Sequence, residues 1–464
     1  MDYSLSIEEF NKNFSVKENK LTHNSGKKFK LFPFITKVEN KPVKNLTNVV
    51  GLYINKIEEK ESVTISMEEL IKKLKEKTNI EQGQEELFER VIRYMFFDSE
   101  KRLLPINIRF LCSDCSKENN ESKIAEYLSD VLGDPEEIKK SIIKANENLE
   151  KQSNVLERFV ISNLERKSKS SSNDTYKPYY RVIEIFKNAY KDDFDYILES
   201  NNRIKEYLVT LLEFYYFIYT SQVCLQLNRF LEGERNQCIP LYFSLDWEKT
   251  SQSRQCFNKG WSILEPAIKR IFSHAIVLEI INQTIEEKEM DYIELNNLIK
   301  DSEEIDEKIS KEIRKLTDLY REIISDCPTM KELERKNFSG NMTADEIKFL
   351  FDNVDCQFRN SDKRGQAYSN YSKKFELFAD KFLKNRGRSG KMLNITEEML
   401  IFLTKISIKN KEKMRLNDVF KEFENRGVFL DEISKENVMK YYEKLNLIEK
   451  KSDSGDAQYV KRIL

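Results

Sequence analysis

The residues best equipped for catalysis are few in this chain. It has two histidines, His23 and His274, in 464 residues. Two histidines that far apart exclude the paired-histidine helix of a zinc protease, and both read as ordinary residues. Of the seven cysteines, only Cys112 and Cys115 are closely spaced. Structural zinc needs four ligands. Cys224, Cys238, Cys256, Cys327 and Cys356 supply no second short-spaced pair. The thiols therefore read as unpaired, with a zinc site assembled from distant parts or redox activity as the lesser alternatives. Gly26-Lys27 and Gly390-Lys391 lack the upstream Gly and the following Ser or Thr of a phosphate-binding loop. Glu137 with Lys139, and Glu346 with Lys348, echo a metal-dependent nuclease core, but they fall on expected helices and that chemistry wants a strand. The expectation is a chain that is not an enzyme, with no catalytic, cofactor-binding or metal residues.

Binding chemistry is better represented. Lys+Arg (78) and Asp+Glu (79) cancel over the whole chain, so only local clustering can point to nucleic acid. Residues 359–391 hold ten basic side chains against three acidic ones, the strongest local bias in the sequence. Its end, Lys384, Arg386, Arg388 and Lys391, is suited to tracking a phosphate backbone or entering a minor groove, with Gly387 and Gly390 allowing close approach.

The elements that must position such contacts follow at once. Met399, Phe402, Leu403 and Ile406 draw one apolar helical stripe. Leu416, Val419, Phe420 and Phe423 draw a second, and Val438, Tyr441, Tyr442 and Leu445 a third. Thr396, Asn417 and Ser434 are the expected caps, and Gly427 a left-handed stop. Residues 447–451 then read as a short strand, 452–455 as a turn and 457–464 as a return strand. Three helices and a β-hairpin make the winged-helix order, with the third helix available to a major groove. Lys435, Asn437, Lys440 and Lys444 occupy its outer face, and Lys450, Lys451, Lys461 and Arg462 the wing. Residues 392–464 carry 14 basic and 13 acidic side chains, so direct contact with double-stranded DNA stands beside docking onto protein.

The rest of the chain is expected to be mainly α. Only 12 Gly and 8 Pro occur, where average usage gives about 32 and 23, so long helices are uninterrupted. Residues 1–115 read as a mixed α/β region, with 29–32 and 49–54 as strands and 68–97 as helix. Residues 116–380 read as a helical domain. Asp134-Pro135 opens a helix running toward Arg166, and 167–173 is a polar flexible break. Ile305, Ile309, Ile313, Leu316, Leu319 and Ile323 form one stripe, paired with 280–299 in a hairpin or with a partner in a coiled coil. Residues 381–464 are the basic lead-in and winged helix-turn-helix. The apolar run 207–227 contains one charge, Glu213, and is diluted by Thr210, Thr220, Ser221, Gln222 and Gln226. It reads as a buried core helix, and no membrane contact is expected. No basic and apolar leader opens the sequence, and the cysteines are odd in number, so a reducing cytoplasm is expected.

The C-terminal third carries a family resemblance. Gly387-Arg388-Ser389-Gly390, the run from Met399 to Lys405, and the closing run from Leu445 through Ser452-Asp453-Ser454-Gly455-Asp456-Ala457-Gln458-Tyr459 to Leu464 resemble the G component of the bacterial DNA phosphorothioation-dependent restriction system. The resemblance implies an accessory, DNA-associated subunit of an anti-phage defence complex. Companion ATPase and nuclease subunits would do the cutting. It supplies no catalytic residue.

Overall fold

The computed structural model describes residues 3–463 except 19, 38–42, 63–64, 105, 114–118, 165, 169–175, 200–203, 286–287, 338 and 451–457. The chain is mainly helical and multi-domain. One compact unit comprises Val43–Tyr176 and Phe186–Tyr216; the other comprises Met1–Pro42, Lys177–Ile185 and Phe217–Leu464. The expected divisions at 115 and 380 do not coincide with these boundaries.

In the first unit the apolar run at 49–54 is a helix, Thr47–Ile57, and not a strand. Val49, Val50, Tyr53, Ile54 and Ile57 are all buried. Their spacing makes one broad helical face, which a continuous β-branched run disguises. The Glu213 carboxylate accepts from the Leu46 amide just before its first turn. The single helix expected over 68–97 is two, Met67–Glu76 and Glu85–Phe96, separated by a turn in which Gly83 takes φ +89°. Both bury one face in a core with Phe110, Val160, Ile161 and Leu164. Asp134 does cap the helix Pro135–Gln152, but the chain turns at Ser153, and a second helix, Val155–Asn163, follows from the Asn154 cap. Lys167 and Ser168, placed in the flexible break, belong to the strand Arg166–Ser168, paired antiparallel with Lys60–Ser62. The remainder of that break, 169–173, lies outside the described residues. Lys60–Ser62 is also the one strand among the described residues of 1–115, where helices otherwise predominate.

The second unit is built around Ile271–Ile281, buried at every position. Residues 29–32 join no sheet among the described residues. The turn leading into them is held by Glu279, whose carboxylate accepts from the amides of Gly26 (2.9 Å), Lys27 (3.2 Å), Lys28 (2.6 Å) and Phe29 (3.1 Å). Burial raises the pKa of that carboxyl, and the amides of Lys28, Phe29 and Gly26 oppose the rise. The striped helix Glu303–Ile323 buries Ile309, Ile313, Leu316 and Ile323 and packs on Met342–Arg359 and Tyr292–Ile299. The expected arm at 280–299 is therefore the end of one helix and the whole of another. Ile204–Leu227 is long and apolar enough to cross a membrane, yet 83% of its most apolar window is buried inside the protein. Its polar residues have local employment. Gln222 exchanges two hydrogen bonds with the Ile239 backbone, and Gln226 binds Gln237 O and the Glu234 amide.

The C-terminal 70 residues contain three helices, Glu397–Ile408, Leu416–Asn425 and Glu432–Lys444, here called the first, second and third module helices. Thr396 caps the first as expected. The other two caps differ. The second helix starts at Arg415 with no side-chain cap, and Asp431 caps the third, its carboxylate accepting from the Ser434 amide at 3.0 Å. Gly427 has φ +81°, the left-handed conformation that ends the second helix. A strand absent from the sequence reading, Lys413–Arg415, completes an antiparallel sheet in the order Lys413–Arg415, Gln458–Lys461, Ile448–Lys450. The expected turn at 452–455 lies outside the described residues. Phe402, Leu403, Ile406, Val419, Phe423, Val438, Tyr442 and Val460 fill the core of this module.

Candidate nucleic-acid interface

The basic lead-in is folded into the protein. Leu383–Asn385 pairs antiparallel with Lys391–Ile395, which lies parallel to Ser244–Leu245. Arg386 is thereby brought against the backbone of 244–248. Its guanidinium donates to Leu245 O (2.6 Å), Glu248 O (3.1 Å), Ser244 Oγ (3.2 Å) and Asn394 Oδ1 (3.0 Å). With both terminal nitrogens on internal acceptors and Nε buried, this guanidinium has no fork left for a phosphate. The Lys384 ammonium donates to the carboxylate (2.5 Å) and carbonyl (2.7 Å) of Asp246. That hydrogen bond holds the Asp246 carboxyl below its ordinary pKa. Lys391 pairs with Asp380 at 2.7 Å on the surface. Farther back in the same run, Arg359 pairs with Asp355 and Arg364 with Asp326. Of the four lead-in candidates, only Arg388 is exposed without a partner among the described residues. Within this segment Lys384 and Arg386 are held mostly by acceptors far away in sequence and are not free to track a backbone, while Lys391 keeps a surface ion pair with Asp380.

The third module helix is held at its N-terminal end by a strap, residues 241–254. Phe243 and Phe429 exchange backbone hydrogen bonds with each other's segment. Arg254 is bidentate to Asp431, Nε at 3.0 Å and Nη2 at 2.5 Å, and its Nη2 also reaches Ser434 Oγ at 2.8 Å. Ser434 Oγ donates to Glu248, whose carboxylate also accepts from Asn437 Nδ2 at 3.3 Å and lies 3.3 Å from Arg254. Burial works to raise the Asp431 pKa, but the bonds from Arg254 and Ser434 outweigh it and the carboxyl is lowered. Asn437 therefore faces a buried carboxylate and not a base edge. Lys435 is engaged as well, with Glu432 at 3.2 Å and Glu424 at 3.8 Å. One turn on, Trp247 of the strap stacks on Tyr441, ring centroids 4.7 Å apart and planes at 30°. These strap residues carried no signal in the sequence, since their partners lie some 180 positions away.

The far end of the same helix is different. Lys440 and Lys444 are exposed and have no partner among the described residues. The Lys461 ammonium sits 3.5 Å from Asn446 O, just beyond Lys444, so these cations gather at the C-terminal end of the helix, where the helix dipole favours positive charge. Arg462 is exposed beside it, its amide bound to Glu412 O. Lys450 pairs with Glu443 at 2.9 Å, and Lys451 lies outside the described residues.

The remaining chemical candidates are the two histidines, the Glu-x-Lys pairs and the cysteines. His23 hydrogen-bonds Tyr320 Oη at 2.8 Å, and burial, reinforced by Arg364, pushes its pKa down to about 3. His274 is buried against Tyr292 and also lowered by burial. Glu137, Lys139, Glu346 and Lys348 all lie on helices, and Glu346 pairs with Arg314 and Arg335. Cys112 is buried, and Cys115 lies outside the described residues. Among the described residues, no three His, Cys, Asp or Glu side chains are grouped to hold a metal ion. Compared with known proteins, the chain matches no family model and no curated protein sequence.

Proposed function

We propose that this chain is a non-catalytic, DNA-associated subunit of a bacterial phosphorothioation-dependent restriction complex, a cytoplasmic anti-phage assembly whose companion ATPase and nuclease subunits perform the cutting. In this reading the C-terminal module is a winged helix that meets double-stranded DNA through phosphate contacts. The observation that carries it is the group Lys440, Lys444, Lys461 and Arg462, exposed and without carboxylate partners among the described residues at one end of the third module helix. The resemblance of the C-terminal third to the G component supplies the biological setting. With Asn437 and Lys435 engaged internally, the contact is to the backbone, so it is independent of base sequence. Changing all four cations to Ala is expected to weaken duplex binding and to flatten the plot of log affinity against log salt by about 3 to 4 in slope. Measurement is by fluorescence anisotropy between 50 and 300 mM salt, taken here as roughly the range where counterion release dominates. An unchanged slope removes these residues from any DNA surface.

A second reading, a helical adaptor that binds only protein, is favoured by one feature. On the helix Glu85–Phe96, Leu87, Val91, Tyr94 and Met95 stand exposed in one stripe while Ile92 and Phe96 face the core. Leu87→Glu with Tyr94→Glu is expected to abolish co-purification of a companion subunit under that reading and to leave duplex binding intact.

A further inference from the structure

Trp247 is placed where a core residue has no need to be. It stands at the turn after the strand Ser244–Leu245 with 37% of its surface exposed, while the chain's other tryptophan, Trp261, is buried. One side of the indole is packed against Tyr441, and about a third of the side chain's surface stays open to solvent. The support beneath it is stiff. Tyr441 is fixed by its hydroxyl, which donates to Glu397 at 2.9 Å. The strap on either side of the indole is fixed by Lys384 on Asp246 and by Arg254, Ser434 and Asn437 on Glu248. Both acids flanking the ring in sequence are thereby neutralised. The cations near it are not. Lys249 is exposed two residues along the strap, and Lys444 follows Tyr441 by one turn on the same helix face; neither has a partner among the described residues.

A rigid, half-open indole backed by a second ring and bordered by free ammonium groups has the composition of a single-strand stacking site. Every base has a π-face to lay on it, and the neighbouring phosphates meet the lysines. We infer that Trp247 is a stacking platform for one unpaired nucleobase, so the strap side of the module takes single-stranded or frayed nucleic acid beside the duplex. This deepens the DNA-binding reading and rests on it.

The test uses the full chain carrying Trp261→Phe, which leaves Trp247 as the sole tryptophan. Titration with a short oligothymidylate is expected to quench its emission. In the same background, Trp247→Ala is expected to weaken oligothymidylate binding by about tenfold and Trp247→Phe to restore most of it. Neither change should alter anisotropy-measured binding of a blunt hairpin duplex. Absence of quenching, or equal weakening of single strand and duplex by Trp247→Ala with no rescue by Phe, overturns the platform. Loss of both ligands in the unsubstituted chain would instead defeat the DNA-binding reading itself. Thermal unfolding of each variant separates a lost contact from a lost fold.

Discussion

The lead-in hairpin and the C-terminal end of the third module helix contain the same kinds of side chain and put them to opposite uses. Lys384, Arg386 and Lys391 are the densest part of the chain's basic run, and each is taken up by the protein's own acceptors, Lys391 by a carboxylate on the surface. Lys440, Lys444, Lys461 and Arg462 belong to a module almost balanced in charge, and they remain in water. Positive charge counted along a sequence is therefore a poor guide to positive charge on a surface. What decides is whether the fold brings carboxylates or carbonyl oxygens alongside, and, Asn394 apart, those partners lie 138 to 142 residues away in the case of Lys384 and Arg386.

The sharpest way to break this comparison is Arg386→Ala. It strips a donor from four acceptors at once, and the expected cost is about 3 kcal/mol of stability, read from denaturant unfolding. Duplex affinity per folded molecule should not change. Arg386→Lys should fail to restore stability, because an ammonium cannot span those acceptors. A stable Arg386→Ala protein with weakened DNA binding would reverse the roles assigned to the two regions.

Acidification sharpens the comparison further, because lysines and arginines in both regions stay charged between pH 8 and pH 5. Any loss over that interval must come from other groups; buried His274, also lowered, supplies part of it, and the share open to a direct test is that of His23. Its folded pKa is about 3, against an ordinary value of 6.5. Below 6.5 the unfolded chain takes up a proton that the folded chain refuses, so stability falls as pH drops toward 3. From pH 7 to pH 5 the loss from this group is at most about 2 kcal/mol. Thermal unfolding across that range should show it, and His23→Gln should remove it while leaving the salt dependence of duplex binding untouched.

The smallest expected stability effect belongs to the exposed cations. Replacing Lys440, Lys444, Lys461 and Arg462 by Ala should move stability by less than about 0.5 kcal/mol per site, even as the salt slope of binding changes. A large destabilisation would mean that these residues, too, are part of the fold.

Much of the C-terminal module was legible in the sequence because its signals are local. Three apolar stripes with helical spacing, the Thr396 cap and Gly427 each depend on neighbours within a turn or two. Lys413–Arg415 was not legible, since a three-residue strand with one buried side chain, Met414, has no period to detect. Thr47–Ile57 misled for the opposite reason: it is buried on so much of its circumference that no polar face marks it as helical. The site divides in the same way. Lys440 and Lys444 could be placed on an outer face from helix geometry alone. The capture of Asn437 by Glu248, and the presence of Trp247 beside Tyr441, required contacts across nearly two hundred residues of chain.

The Glu279 carboxylate bears on how the polypeptide is assembled as it leaves the ribosome. Its four amide donors at residues 26–29 emerge early, and the first must wait for an acceptor 253 positions later. Residues 43–216 contain everything the intervening unit needs, so that unit can mature while synthesis continues. The opening segment cannot settle until well over half the chain has been translated. During that interval Phe29, Leu31 and Phe32, buried in the finished protein, are left open to chaperones.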